Sequence, residues 1–181
     1  MHNNNYYQHN LPDVGDIETG RPNLGNMTSV AVYRLAQYAM RTVLINTLGR
    51  GEADKCFFNA GKLAGTEFCN KYLPLDADFN TFMQTLYDTL IELKAGVMRV
   101  EDIDFERLEV TLTISEDLDC SGLPVTNETV CTYDEGFLAG VLSAYLKKEF
   151  DVKEVDCWST GERTCRFKIK PKPESYYEHN T

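Results

Sequence analysis

Four residues in the last third of the chain have side chains suited to metal chemistry: Cys131, Glu154, Cys157 and Cys165. Each stands where the chain is expected to change direction. Cys131 immediately precedes an expected helix, Glu154 and Cys157 lie on the first strand of an expected terminal hairpin, and Cys165 returns on its partner strand. Thiolates and carboxylates in four-coordinate tetrahedral geometry suit zinc, and such closed sites are usually structural. Three thiolates and one carboxylate around a single Zn2+ leave a net charge of about −2, with Lys153, Arg163 and Arg166 near in sequence to offset it. The spacing contains no CxxC pair and leaves two other readings open. One is a set of buried thiols beside a solvated glutamate; the other is a Cys157–Cys165 disulfide across the hairpin. The remaining cysteines are Cys56, Cys69 and Cys120.

Other chemistries are poorly served. The only histidines are His2, His9 and His179, all in polar tails, so the folded middle holds no imidazole. That argues against a Ser-His-Asp or Cys-His nucleophile pair, a haem held by a core histidine and a histidine-built zinc site. Gly61-Lys62-Leu63 lacks the Ser/Thr of a phosphate loop, and Gly49-Arg50-Gly51 does not continue as GxGxxG, so nucleotide binding is not expected. The acidic stretch Glu116-Asp117-Leu118-Asp119-Cys120 lacks EF-hand spacing and reads as a solvated loop. With 28 acidic against 18 basic residues, a net charge of −10 and a pI near 4.8, the chain is not expected to bind nucleic acid or anionic membrane by its overall field. No apolar run is long enough to span a bilayer, and the polar Asn-rich start does not read as a secretory signal, so a cytoplasmic location is expected.

The elements that must position these residues follow from periodicity. Residues 1–27, rich in Asn, Gly and Pro, read as a flexible arm. A first helix runs over 30–48, a second over 53–72 and a third from the Asp78 cap to Leu93. Alternation over 97–101 and 107–114 marks two strands. A fourth helix spans 133–148, strands at 152–158 and 164–169 flank a turn, and 171–181 is a polar tail. The order ααα-ββ-α-ββ gives an α+β fold, with N-terminal helices packed on an antiparallel sheet and the metal site near the C-terminal hairpin. Gly61 and Gly65, and Gly136 with Gly140, form small-residue stripes that suit close helix packing.

Residues 131–140 (CTYDEGFLAG), with 154–161 (EVDCWSTG) and 165–167 (CRF), resemble the 4-vinyl reductase domain family. The resemblance is strongest over 131–167 and extends over about 28–170, the expected ligand-binding domain. Aromatic-sensing members of that family hold zinc with a Cys before this helix, then a Glu 23 residues on, a Cys three further and a Cys eight beyond. Cys131, Glu154, Cys157 and Cys165 match all four positions. The resemblance also implies a small apolar or aromatic ligand bound between helices and sheet, with Tyr33, Phe57, Phe58, Phe82, Met83 and Tyr87 as wall candidates. It further implies a homodimer using the arm and first helix. A sensor or carrier with no catalytic residue is the leading expectation. The alternatives are an accessory protein or reductase acting on tetrapyrrole vinyl groups, and an adaptor of related fold like those in vesicle tethering. No nicotinamide or flavin fingerprint supports the reductase, and the transcription activity of the long family members is not expected of this chain.

Overall fold

The structure is a computed structural model that describes residues 15–173. The three histidines, the first half of the expected arm and most of the expected tail lie outside the described residues. The chain divides into two compact units at Cys56/Phe57.

The first unit begins, as far as described, with a single turn, α1 (Ile17–Gly20), inside the segment expected to be a flexible arm; Asp16 caps it by accepting from Thr19 N at 2.9 Å. Helix α2 (Val30–Leu48) starts at Ser29, whose hydroxyl accepts from Ala31 N. It ends at Gly49, whose φ of +84° is a backbone state that side chains other than glycine rarely adopt. The break is shorter than expected. Arg50 and Gly51 already belong to α3 (Arg50–Tyr72), because one left-handed residue is enough to end a helix and let the next begin. No residue of α2 is buried: Leu35, Met40 and Val43 are all more than half exposed, and so is Val32. Within this unit Arg41 bonds Asp54 at 2.9 Å.

The second unit holds the rest of α3, then α4 (Phe79–Glu92), β1 (Val97–Asp104), β2 (Glu109–Ser115), α5 (Thr132–Leu146), β3 (Phe150–Asp156), a 3-10 turn (Trp158–Thr160) and β4 (Thr164–Pro171). Asp78 caps α4 as expected, accepting from the Asn80 and Thr81 amides. The four strands form one antiparallel sheet in the order β1-β2-β4-β3. Its inner face carries Met98, Val110, Leu112, Ile114, Phe150, Val152, Phe167 and Ile169, which join Phe82, Leu86 and Leu90 of α4 and Leu138, Val141 and Leu142 of α5 in one core. Phe82 stacks on Tyr145 with ring centroids 3.8 Å apart, and the Tyr145 hydroxyl donates to the Ala77 carbonyl.

Helix α5 is held unusually close to α3. A Cβ on Gly61 or Gly65 would overlap the carbonyl oxygen of Tyr133 or Phe137, and one on Gly136 or Gly140 that of Phe58 or Lys62. The two glycine stripes therefore face each other and let backbone touch backbone, which fixes the height of α5 and of Cys131 at its start. Among the described residues no helix is long and apolar enough to cross a membrane.

Candidate metal centre

Cys131 is the N-cap residue of α5, and its side chain makes no cap bond. Its sulfur lies instead 3.8 Å from Cys157 Sγ and 3.7 Å from Cys165 Sγ. All three sulfurs are essentially inaccessible. How Glu154 and Cys157 both face inward is settled by a β-bulge. On a regular strand, residues three apart point to opposite faces. In β3 the register slips between Glu154 and Asp156, so Glu154 pairs with Phe167 while Asp156 pairs with Arg166. Val155 takes up the extra position and is 40 % exposed, the parity reverses, and both Glu154 and Cys157 are buried. Cys165 enters from the neighbouring β4, where it pairs with Ile114 of β2.

A fourth sulfur completes the group. Cys120, fully buried, sits with its Sγ 3.1 Å from that of Cys165. Cys120, Cys131, Cys157 and Cys165 all lie within 4.8 Å of one another, a group that could hold a metal ion. All six cysteines are free, so the disulfide reading is not what the hairpin adopts. Sequence reasoning places Cys120 in a solvated loop, and that expectation is overturned: Asp117, Asp119 and Cys120 are all buried. The cause is local. Asp117 Oδ1 accepts from the backbone N–H of Asp119 (2.9 Å) and Cys120 (3.0 Å), turning the acidic segment in on itself. The remaining loop is tied to the hairpin turn by the Trp158 indole, which donates to Leu123 O, and by Thr126 and Asn127, which donate to Ser159 O.

The fourth residue expected at the site, Glu154, is also there, but its Oε2 accepts the Cys131 backbone N–H at 3.0 Å. Its backbone N–H donates in turn to Glu135 Oε1. Burial first, and then the charge of Cys157, pushes the Glu154 carboxyl up to about 8. Asp117 rises to about 6 through burial and the neighbouring Asp119. Burial and then Asp117 hold Asp134 well above the usual carboxylate range. Hydrogen bonding to Cys120 draws the Cys157 thiol far below its ordinary value, while the same partner holds Cys131 and Cys165 far above theirs.

The basic residues expected to offset this charge are engaged elsewhere or lie outside. Lys153 bonds Glu135 at 2.9 Å, Arg166 bonds Glu101 and Asp156, and Arg163 is exposed. Glu154 Oε1 and Asp134 Oδ2 are buried without a hydrogen-bond partner. Buried thiols and carboxylates with so little compensation suit a cation. Four sulfurs each about 2.3 Å from one zinc stand about 3.8 Å from one another; the separations from Cys131, 3.7 and 3.8 Å, match that spacing, and that of Cys120 from Cys165, 3.1 Å, is shorter.

The ligand-wall candidates are divided between the units. Tyr33 is half-buried on α2. In the second unit Phe57 is buried on α3, Phe82 and Met83 belong to the core, and Phe58 and Tyr87 pack against it half-buried. A groove of about 590 Å³ on the described residues lies elsewhere, lined by the sheet residues Asp102, Asp151, Lys153 and Lys168 among others and by Arg107 of the β1–β2 turn.

Comparison with known proteins agrees with this architecture. Residues 110–171 match the family model of the 4-vinyl reductase domain and include all four clustered cysteines. The phenol-responsive sensory domain of the transcription activator PoxR, solved with phenol, superposes with a TM-score of 0.62 at 17 % identity, covering 81 % of this chain and 76 % of that one. A vinyl-4-reductase family protein from Methanocaldococcus jannaschii gives a TM-score of 0.57 at 16 % identity over 83 % and 85 % of the two chains. A trafficking protein particle complex subunit 3 from Naegleria fowleri, covalently bound to palmitic acid, gives 0.59 at 11 % identity over 80 % and 98 %.

Proposed function

We propose, starting from the 4-vinyl reductase domain that the chain carries over residues 110–171, that this protein is a small-molecule sensor or carrier for an apolar or aromatic ligand. Residues 28–170 form its ligand-binding domain, and a structural zinc steadies it. The likeness to the phenol-responsive domain carries the reading, since it spans most of both chains. The palmitate-bearing neighbour supports the same ligand class, because two proteins of similar fold are described with a small molecule that is largely hydrocarbon, phenol in one and palmitic acid in the other. The layer containing Phe58, Phe82, Met83 and Tyr87 supplies the adaptable aromatic and thioether walls such a ligand needs. Cys131, Cys157 and Cys165, with Glu154 beside them, fasten α5 to the hairpin. Zinc there acts as a fixed, redox-inert crosslink, and no catalytic step is assigned to it.

The reading includes a cytoplasmic homodimer. The uncovered apolar side chains of α2 are of the kind that a second copy buries. Ligand binding in one subunit then reaches a partner through that shared surface.

Thermal unfolding in the presence of phenol, toluene and palmitate tests the ligand assignment. A ligand bound only by the native state at one hundred times its Kd adds about 2.7 kcal/mol of stability. A saturable rise in Tm with at least one of these compounds is expected. Flat titrations with all three would remove the ligand reading and favour the adaptor role suggested by the trafficking-complex neighbour.

A further inference from the structure

We propose that the metal is held by four sulfurs, those of Cys120, Cys131, Cys157 and Cys165, with Glu154 outside the coordination shell as the carboxylate that fixes Cys131. This rests on the zinc reading above and names its ligands, replacing the three-cysteine, one-glutamate set that the family resemblance implies.

Three observations carry it. The first is reach. The mutually close donors are four sulfurs; the 3.7 and 3.8 Å separations from Cys131 match the edge of a tetrahedron around one zinc, about 3.8 Å, and Cys120 lies closer still to Cys165, at 3.1 Å. The second is orientation. Glu154 is not among the mutually close donors; its Oε2 accepts the Cys131 backbone N–H at 3.0 Å, while its Oε1 is buried without a hydrogen-bond partner. The third is construction. Cys120 is delivered by a built turn: the Asp117 side chain accepts from the amides of Asp119 and Cys120, the Asp117 carbonyl accepts from Ser121 N, and Leu118 N donates to Ala95 O just beyond α4. That turn buries Cys120 completely and aims its sulfur at Cys165. An all-thiolate tetrahedron also selects a soft, tetrahedral ion such as zinc over hard cations. The loop before α5 thereby becomes part of the site, and the metal joins three segments instead of two: the loop, the start of α5 and the terminal hairpin.

X-ray absorption at the zinc edge on the zinc-loaded full chain tests this. The expected spectrum has four sulfur neighbours at about 2.3 Å and no oxygen neighbour. Cys120→Ser should replace one sulfur with a lighter neighbour at about 2.0–2.2 Å, whereas Glu154→Gln should keep all four sulfurs. Three sulfurs and one oxygen in the unsubstituted protein, or an unchanged spectrum in Cys120→Ser, would overturn the assignment while leaving zinc binding intact. If Cys120→Ser does not fold, the unsubstituted and Glu154→Gln spectra decide alone. A chain that takes up no zinc overturns the underlying reading, a failure distinct from a wrong ligand count.

Discussion

Helices α2 and α5 are both amply apolar, yet they use those side chains in opposite ways. Seven of the 15 residues of α5 are buried, including Gly136, Leu138, Ala139, Gly140 and Val141 around much of its circumference. None of the 19 residues of α2 is. The difference is one of neighbours. α5 has α3 against its glycines and the sheet against its leucines and valine, so its shape is dictated from several sides. α2 carries a comparable apolar content with Leu35, Met40 and Val43 mostly exposed. A helix apolar on all sides is made for an interior, whereas an uncovered stripe is surface awaiting a cover. The precision of the cysteine site belongs to the first kind of environment, and the proposed subunit contact to the second.

That contrast can be strained at graded points. The largest effect should come from the metal. Chelation, or Cys157→Ser, should release zinc and lower stability by more than ~4 kcal/mol, the range reserved for lost metals and broken cores; calorimetry before and after chelation reads it. Ligating sulfurs must be deprotonated, so zinc retention should weaken as the pH falls and recover as it rises. Next, Gly140→Val should cost roughly 3 kcal/mol, because its side chain has only the Lys62 carbonyl to occupy. Chemical denaturation measures it, and a change below ~0.5 kcal/mol would mean that α3 and α5 are not in backbone contact. The paired change Leu35→Asp and Val43→Asp should leave each protomer within about 0.5 kcal/mol per site but convert a dimer to a monomer in light scattering. A monomer before substitution would refute the subunit contact. The smallest effect is expected at the α4 cap. Hydrogen bonds from Thr81 hold the Asp78 carboxyl below its ordinary value. Its folded pKa lies below its unfolded one, so its contribution is present above the unfolded value and lost as pH falls through the folded one. The Tm gap between the unsubstituted chain and Asp78→Ala should therefore be a few degrees near neutrality and close in acid.

Much of this is legible in the residues. The cap at Asp78, the change from helical to alternating period after Gly96, and the antiparallel hairpins each have a local cause that a sequence displays, whereas at the start of α2 Thr28 and Ser29 are equal candidates until the structure selects Ser29. The spacing of Cys131, Cys157 and Cys165 leaves separate buried thiols and a disulfide open, and only the family resemblance implies that they meet at one ion. Cys120 is hidden for a physical reason. Its position depends on one aspartate folding its own loop, a bond network that acidic composition disguises as solvation. The bulge at Val155 is hidden too: the strand expected over 152–158 ends at Asp156, and Cys157, one residue beyond it, is brought to the same side as Glu154 only by the change of parity. Exposure of α2 is not legible at all, since periodicity defines a face without saying what lies against it.

The account turns on the buried sulfurs gathering around one ion, and a native mass spectrum of protein purified without chelator addresses that directly. A mass of one zinc per chain, lost together with the compact charge distribution on chelation, is the expected result. A bare chain with every thiol open to alkylation in the folded state would contradict it.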